Sequence, residues 1–346
     1  MRITTFSPVK NEGPFLVEWV AWMGLIGAND IHVFTNDCTD GSDLILERLD
    51  EMGRLRHLPN PSVVSGTDRH HWTVIDYLNA MPRTRRSDWV MNLDVDEFPV
   101  IHVGAGRLAD LVEAVPGADC IALNQLNFGV GGALSYDPSR LVPETCLWSQ
   151  AREETLPGAA RPRPRGVKTL VRGGAQVKRF ANHSPLVDEA DMDRVSWVDG
   201  SGRRLDRRAR NARFKVAYGD EAAYGLAQVN HYALRNAESF LVKADRGRPN
   251  RAEAHLHLKY WKTYDWAEER NTAIVPHLPA LRDRVADLLS DPELARLHAA
   301  SVERHRARIG ELLQRRFFAR LHRSTVDWHR AEVLPGRPAA AAGRVA

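Results

Sequence analysis

Cysteine is scarce in this chain of 346 residues: Cys38, Cys120 and Cys146 lie far apart, and no two form a Cys-x-x-Cys pair. So sparse and odd a set excludes a disulfide framework or a zinc ribbon and points to a reducing compartment, with thiols that stay reduced and dispensable. Long apolar runs are missing as well. No stretch of about 18 or more apolar residues occurs, so no membrane-spanning helix is expected. The chain opens on the strand-like Arg2, Ile3, Thr4, Thr5 and Phe6, without the apolar core of a secretory leader. A cytoplasmic location is therefore expected, with peripheral contact at the inner membrane left open. Charge of one sign is nearly absent: 48 Lys and Arg against 44 Asp and Glu leave +4, too mild to imply nucleic acid. No internal repeat is visible. The glycine-rich stretch 127–132 is neither a Gly-x-x-x-x-Gly-Lys-Ser/Thr phosphate loop nor part of a dinucleotide fingerprint.

What is present is an alternation of short apolar segments with helical patterns. Residues 3–6, 31–35, 55–58 and 119–126 read as strands, and residues 7–14 as a turn. Helical periodicity occupies residues 14–26, 42–52, 67–81 and 108–115, with Pro14 suited to a first helical position and Gly27 and Gly53 as stops. In the first helix Phe15, Leu16, Trp19, Val20, Trp22 and Met23 cover most of the circumference, which predicts burial. The alternation predicts an α/β fold with a mostly parallel sheet, whose ligands bind beyond the carboxyl ends of the strands. Residues 127–215 are less regular; 161–165 read as a linker and 168–172 as a strand. From residue 222 a helical pattern returns. After Pro279 two amphipathic helices are expected, the second opening at Asp291 and carrying Phe317, Phe318 and Leu321 as an extension of its face.

The organising segment runs from Trp89 to Phe98. Its first half reads as a buried strand, and Asp94, Asp96 and Glu97 stand where the strand ends. Strand alternation places Asp94 and Asp96 on one side and Glu97 on the other. Paired carboxylates repel unless a cation sits between them, and hard oxygen ligands suit Mg²⁺ or Mn²⁺. The bland alternative is a solvated acidic turn. Residues 203–215 hold seven basic residues and one acid: a solvated surface, or contacts to an anionic ligand. His70 and His71 precede Trp72 near a helix start and read as surface or acceptor-cleft residues rather than metal ligands. Trp72 and Trp148 could stack on a sugar, although burial is the commoner fate of a tryptophan.

Several of these segments fall in a familiar order: Lys10-Asn11-Glu12 followed by Glu18-Trp19, the loop Asn36-Asp37-Cys38-Thr39-Asp40-Gly41, and Asp94, Asp96, Glu97 and Phe98. Downstream come Phe128-Gly129, Lys168, His183-Ser184-Pro185, Asn230-His231-Tyr232, then Lys243 with Arg246-Gly247. Over residues 1–260 the chain resembles the GT-A glycosyltransferases of family 2, in particular the bacterial branch akin to family 92. The resemblance implies a GT-A-like domain over 1–260; the helical periodicity beyond it predicts a helical extension over 261–334, and the alanine-rich end a disordered tail over 335–346. The resemblance also implies an inverting transfer from a UDP- or GDP-sugar to a glycan or other hydroxyl acceptor, with no nucleic-acid partner. A divalent cation, Mn²⁺ or Mg²⁺, would be held by Asp94, Asp96 and His231, and the nucleotide-sugar by Pro8, Lys10, Asn11, Glu12, Asn36, Asp37, Asp40, Asn92, Asp94 and Lys168. The usual pair for a general base after the Asp-x-Asp block is missing; Glu144, Glu153 and Asp188 stand as candidates. His183 would contact acceptor or diphosphate. Two other readings remain. One is a metal-dependent phosphotransferase or hydrolase with Asp94 as nucleophile, which Phe98 at the fifth position disfavours. The other is a non-enzymatic module binding anionic surfaces through residues 203–215, which leaves the acidic cluster unexplained.

Overall fold

A computed structural model describes residues 1–152, 165–205, 216–217, 223–247 and 255–333. Strands β1 (Ile3–Val9), β2 (Asp30–Thr35) and β3 (Arg56–Pro59) are joined by α1 (Gly13–Leu25) and α2 (Ser42–Glu51). Helices α3 (Pro61–Ser65), α4 (His70–Ala80) and α5 (Pro82–Arg85) lead into β4 (Trp89–Asn92), and a turn over 93–96 leads into β5 (Glu97–Ile101). Next come α6 (Leu108–Ala114), β6 (Cys120–Asn127), α7 (Val142–Thr145), β7 (Trp148–Ser149), β8 (Arg165–Arg172), β9 (Trp197–Asp199), β10 (Val216–Ala217) and β11 (Ala227–His231). The C-terminal part contains α8 (Ala237–Arg246), α9 (Leu258–Tyr264), β12 (Glu269–Arg270), α10 (Leu278–Leu289), α11 (Pro292–Gln314) and α12 (Arg316–Trp328).

The main sheet runs β3-β2-β1-β4-β8-β6-β11-β5, with β9 on β6 and β10 on β8. The strands β3, β2, β1 and β4 are mutually parallel, and β11 is parallel to β6; β8 and β5 run against their neighbours. Side-chain alternation sorts the core onto two faces. Trp89 and Met91 of β4, with Ile31 and Val33 of β2, face the cluster under α1, α10 and α11. Val90, Phe34 and Phe6 face the opposite cluster, where Val74, Ile75 and Leu78 of α4 pack. A third cluster joins α8, α9 and α12 around Phe240, Trp261 and Phe318. The helix α1 is buried along its length to Met23, as its all-round apolar pattern predicts, and Gly27 follows it at φ +84°, a left-handed geometry that favours glycine.

The structure departs from the sequence reading in several places. The strand β1 continues through Val9, so the first turn is confined to residues 10–12. The helix expected over 67–81 starts at His70. Residues 227–231 form the strand β11, not a helix: Ala227, Gln228, Val229 and Asn230 are buried on both faces, which erases the alternation that marks a half-exposed strand. The last long helix is two helices, because Arg315 takes extended backbone at φ −84°, ψ 123° and turns α12 away from α11. Asp291 does cap α11, accepting from the Leu294 amide at 2.8 Å. Residues 161–164 of the expected linker, residues 206–215 of the basic run and the tail 335–346 lie outside the described residues. Within the run, Arg203 pairs with Asp199. All three cysteines are free thiols. No described helix is long and apolar enough to cross a membrane.

Candidate functional site

The parallel strands β1, β2 and β4 end at one edge of the sheet, and a cavity of about 560 Å³ opens there. It is lined by Pro8, Lys10, Glu12 and Asn36 from the first two loops and by Asp94, Asp96 and Glu97 from the turn after β4. His231 at the end of β11, Lys243 and Arg246 of α8, and Tyr260 and Tyr264 of α9 form the facing wall. His70, His71, Asn182 and His183 complete the rim, so the two adjacent histidines do reach the cleft.

The carboxylates do not sit as strand alternation requires. The ladder stops at Asn92, and the Glu97 amide donates to the Asp94 carbonyl at 3.0 Å, closing a turn. All three acids therefore line one cavity, each on its own partners. Asp94 accepts from Lys168 Nζ at 3.2 Å, and Asp96 from Lys243 Nζ at 2.6 Å. Glu97 takes Lys168 at 2.9 Å, the Asp94 amide at 2.9 Å and the Gln125 side chain. Lys168 is wholly buried under the floor, where Asn92 and Asn182 also receive its protons. Glu12 is clamped by Arg235 and Arg246, and the Arg246 guanidinium also donates to the Lys10 and Asn11 carbonyls.

The burial of Asp96 and Glu12, and the partial burial of Asp94, would by themselves raise these carboxyls, but Lys168, Lys243 and the two arginines outweigh it and hold all three low. Glu97 goes the other way: burial, reinforced by the charges of Asp94 and Asp96, pushes it up to about 8 despite Lys168. Asp94 and Glu97 in turn hold Lys168 above its ordinary value, although burial opposes them. The carboxylates Glu12, Asp94 and Asp96 thus face Lys10, Lys243 and Arg246 across the cavity, and Lys168 and Arg235 behind the acids leave a surplus of positive charge that suits an anionic ligand.

His231 is the histidine best placed for a metal. Its Nδ1 lies 2.9 Å from Asn127 Oδ1, which fixes the proton there and leaves the Nε2 lone pair 3.8 Å from Asp96 Oδ1. Burial pushes its imidazole down to about 4, so it is neutral at physiological pH. A neutral nitrogen and a carboxylate oxygen at that separation can share one cation, with bonds of about 2.1 Å to each. Among the described residues no three His, Cys, Asp or Glu side chains form a complete cage, so water or phosphate oxygens would supply the remaining ligands.

The other residues singled out from the sequence divide into two groups. Asn11, at φ +53°, bonds to Thr39 through both side-chain atoms, and Asp40 accepts from Ser42 and from the Gly13 amide. These contacts stitch the first two loops together rather than facing the cavity. Asp37, at φ +49°, is exposed 3.7 Å from Lys10, and Asn92 lies beneath the floor. The base candidates fall elsewhere. Glu144 caps α7 through the Leu141 amide and pairs with Arg282, and Asp188 pairs with Lys178 at 2.8 Å on the surface. Neither lines the cavity, because each acid is taken by a cation of its own surroundings; Glu153 lies outside the described residues. Arg235, Asn182, Gln125, Tyr260 and Tyr264 went unnoticed in the sequence. A signal existed for the cations of α8: Lys243 and Arg246 stand three apart on one helical face, opposite acids that need partners.

Residues 4–169 match the model of glycosyltransferase family 92. No curated protein matches the chain. Solved structures are similar at low identity. Glucosyl-3-phosphoglycerate synthase from Mycobacterium tuberculosis, in complex with phosphoglyceric acid, is 16% identical over 36% of this chain and 44% of its own, with TM-score 0.26. S. aureus TarS is 13% identical over 88% of this chain and 54% of its own, with TM-score 0.31. Its residues 1–349 in complex with UDP are 12% identical over 96% and 92%, with TM-score 0.32. The chain thus spans less than half the length of the mycobacterial synthase. Likenesses this loose carry no conclusion about activity.

Proposed function

We propose that the protein is a glycosyltransferase, a reading supported by the match of residues 4–169 to the model of glycosyltransferase family 92. It moves a sugar from a nucleotide-diphosphate donor, a UDP- or GDP-sugar, to a hydroxyl of a glycan or other acceptor, with inversion at the anomeric carbon. The observation that carries this reading is the convergence of the Asp94–Asp96 turn, His231 and the loop residues Pro8, Lys10 and Asn36 on one cavity at the carboxyl edge of parallel strands.

In this reading the nucleoside lies along Pro8 and Asn36, and the diphosphate lies toward Lys243 and Arg246. The surplus positive charge of the cavity favours a dianionic donor. Asp96 and His231 would hold Mn²⁺ or Mg²⁺, with a further oxygen from Asp94, whose side chain is 41% exposed beside Lys168. The cation would neutralise charge building up on the leaving diphosphate. Lys168 keeps Asp94 ionised and fixed in place; Lys243 does the same for Asp96. Asn127 keeps the His231 proton on Nδ1, so that Nε2 faces inward.

Thermal stabilisation by UDP and GDP, each with and without Mn²⁺, tests the reading alongside a screen of nucleotide-sugars for donor consumption. The expected result is a rise in melting temperature that needs nucleotide and cation together, with turnover of one donor class. No stabilisation by either nucleotide, and no consumption of any nucleotide-sugar, would overturn it.

A further inference from the structure

Helices α11 and α12 are both rich in arginine, yet they treat the charge in opposite ways. On α11 Arg296 pairs with Glu293, Arg306 with Glu303, and Arg308 with Glu311 and Asp245. On α12 Arg316, Arg320 and Arg323, with Arg330 just beyond, are exposed, and among the described residues none of them has an ion-pair partner. Only Arg315 at the junction is paired, to Asp245. Positions 316, 320, 323, 327 and 330 follow helical spacing, so they form one stripe about 21 Å long. Asp327 is its one acid. Like charges at these spacings repel by a few tenths of a kcal/mol per pair; Asp327, one turn from Arg323 and from Arg330, offsets only part of this, whereas on α11 Arg296, Arg306 and Arg308 each have an acid of their own.

Beside the stripe Phe317 is 42% exposed, propped by the rings of His255, His257 and Phe318. The adjoining α9 adds exposed Lys259 and Lys262, the latter 5.9 Å over the Trp328 ring. The opposite face of α12 is not available for docking: Phe318, Leu321 and Thr325 are buried in the protein. A cationic helix face with one large apolar side chain is therefore presented to solvent.

We propose that this α12–α9 face docks the protein on an anionic lipid surface, the arginine stripe lying on the headgroups and Phe317 entering the interface. Charge complementarity selects the partner class, and the exposed ring favours lipid over nucleic acid, where a phenyl group among phosphates gains little. The consequence for the cavity follows from the other side of the same elements. The face of α9 turned inward carries Tyr260 and Tyr264, and α8 carries Lys243 and Arg246, all lining the cavity. Docking through the outer face leaves this inward wall, and with it the nucleotide site, free; the docking does not rest on the proposed transferase activity.

Co-sedimentation of the full chain with phosphatidylcholine vesicles, with and without about a third phosphatidylglycerol, tests the docking. Binding is expected only to the anionic vesicles, and it should be lost near 0.5 M salt, where screening shortens the reach of charge to a few ångströms. An arginine near such a surface changes partitioning about fivefold, so the double variant Arg320→Glu/Arg323→Glu should bind at least about 25-fold more weakly. Phe317→Ala should lower binding several-fold. The thermal melt of the charge-reversal variant should match the wild type, because its changed atoms are at the surface; Phe317→Ala should melt slightly lower, through the lost ring contacts, while staying folded at the assay temperature, and nucleotide binding should be unaffected in both. Equal binding to both vesicle types, binding to neither, or an unchanged charge-reversal variant would overturn the proposal. So would an RNA duplex that displaces the vesicles and binds wild type and Phe317→Ala alike, which would mark the stripe as a general polyanion site.

Discussion

Replacing Glu97 by Gln asks whether the floor of the cavity holds a neutral acid. Glu97 is 2% exposed and takes hydrogen bonds from Lys168, from the Asp94 amide and from Gln125. With burial pushing its carboxyl up to about 8, the side chain is protonated at pH 6 in the metal-free protein. An amide then replaces it at little cost. Its oxygen still accepts from Lys168 and Asp94, its NH₂ faces Gln125, whose amide can rotate, and the loss should stay near 1 kcal/mol. The folded value lies above the unfolded value near 4.5, so between the two the folded chain binds the extra proton. Stability from this group is fully present below about 4.5 and falls as pH rises toward 8, by at most about 1.4 kcal/mol per pH unit. Glu97→Gln removes this slope, so the wild-type advantage of about 1 kcal/mol at pH 6 should fall as pH rises and change sign before pH 8, the variant then being the more stable. Urea unfolding with EDTA across that range measures it. If instead Glu97 is ionised against Lys168, the substitution breaks a buried ion pair and costs about 3–5 kcal/mol at pH 6. That result, or parallel pH profiles, would refute the reasoning.

His231→Ala should raise the Mn²⁺ concentration for half-maximal donor turnover at least about tenfold with little change in unfolding midpoint, and Asn127→Ala should shift it in the same direction by less. An unchanged Mn²⁺ requirement in steady-state assays would remove His231 from the site. Arg246→Met takes donors from the Lys10 and Asn11 carbonyls and from Glu12. It should cost about 1–3 kcal/mol in urea unfolding and weaken UDP binding by calorimetry; intact nucleotide affinity would count against this loop as the nucleoside seat. Burial pushes the Cys38 thiol up to about 11 and the Cys146 thiol up to about 12. Alkylation followed by mass spectrometry should therefore label half-buried Cys38 slowly and Cys120 and Cys146 only on unfolding; a disulfide in the native protein would contradict this.

Much of the N-terminal half was legible because its signals are local. Pro14 and Gly27 bracket α1, and the tryptophans Trp19 and Trp22 announce its burial; Asp291 with Pro292 marks the start of α11. The strand β11 was not legible. Its polar members Gln228 and Asn230 are satisfied by each other, by Asn271 and by Tyr232, bonds that exist only once the sheet is assembled. The acidic turn was found by residue type, but its geometry was misread, since the ladder stops at Asn92 rather than carrying through Asp96. The salt-bridge partner of Asp96, Lys243, is 147 residues away, and no periodicity links the two. The position of Glu144 away from the cavity is illegible for the same reason, since Arg282, which engages it, lies 138 residues on; Asp188 is held on the surface by Lys178, ten residues before it.

The central claim, a nucleotide-sugar site completed by a cation at the Asp94–Asp96 turn, is tested most directly by calorimetric titration of UDP and GDP into wild type and Asp96→Ala, with and without Mn²⁺. One of the nucleotides should bind wild type at least about tenfold more tightly with Mn²⁺ than without. Asp96→Ala should bind it with the same weak affinity in both conditions. A wild-type affinity indifferent to Mn²⁺, or an Asp96→Ala variant that keeps the full Mn²⁺ response, would contradict the account.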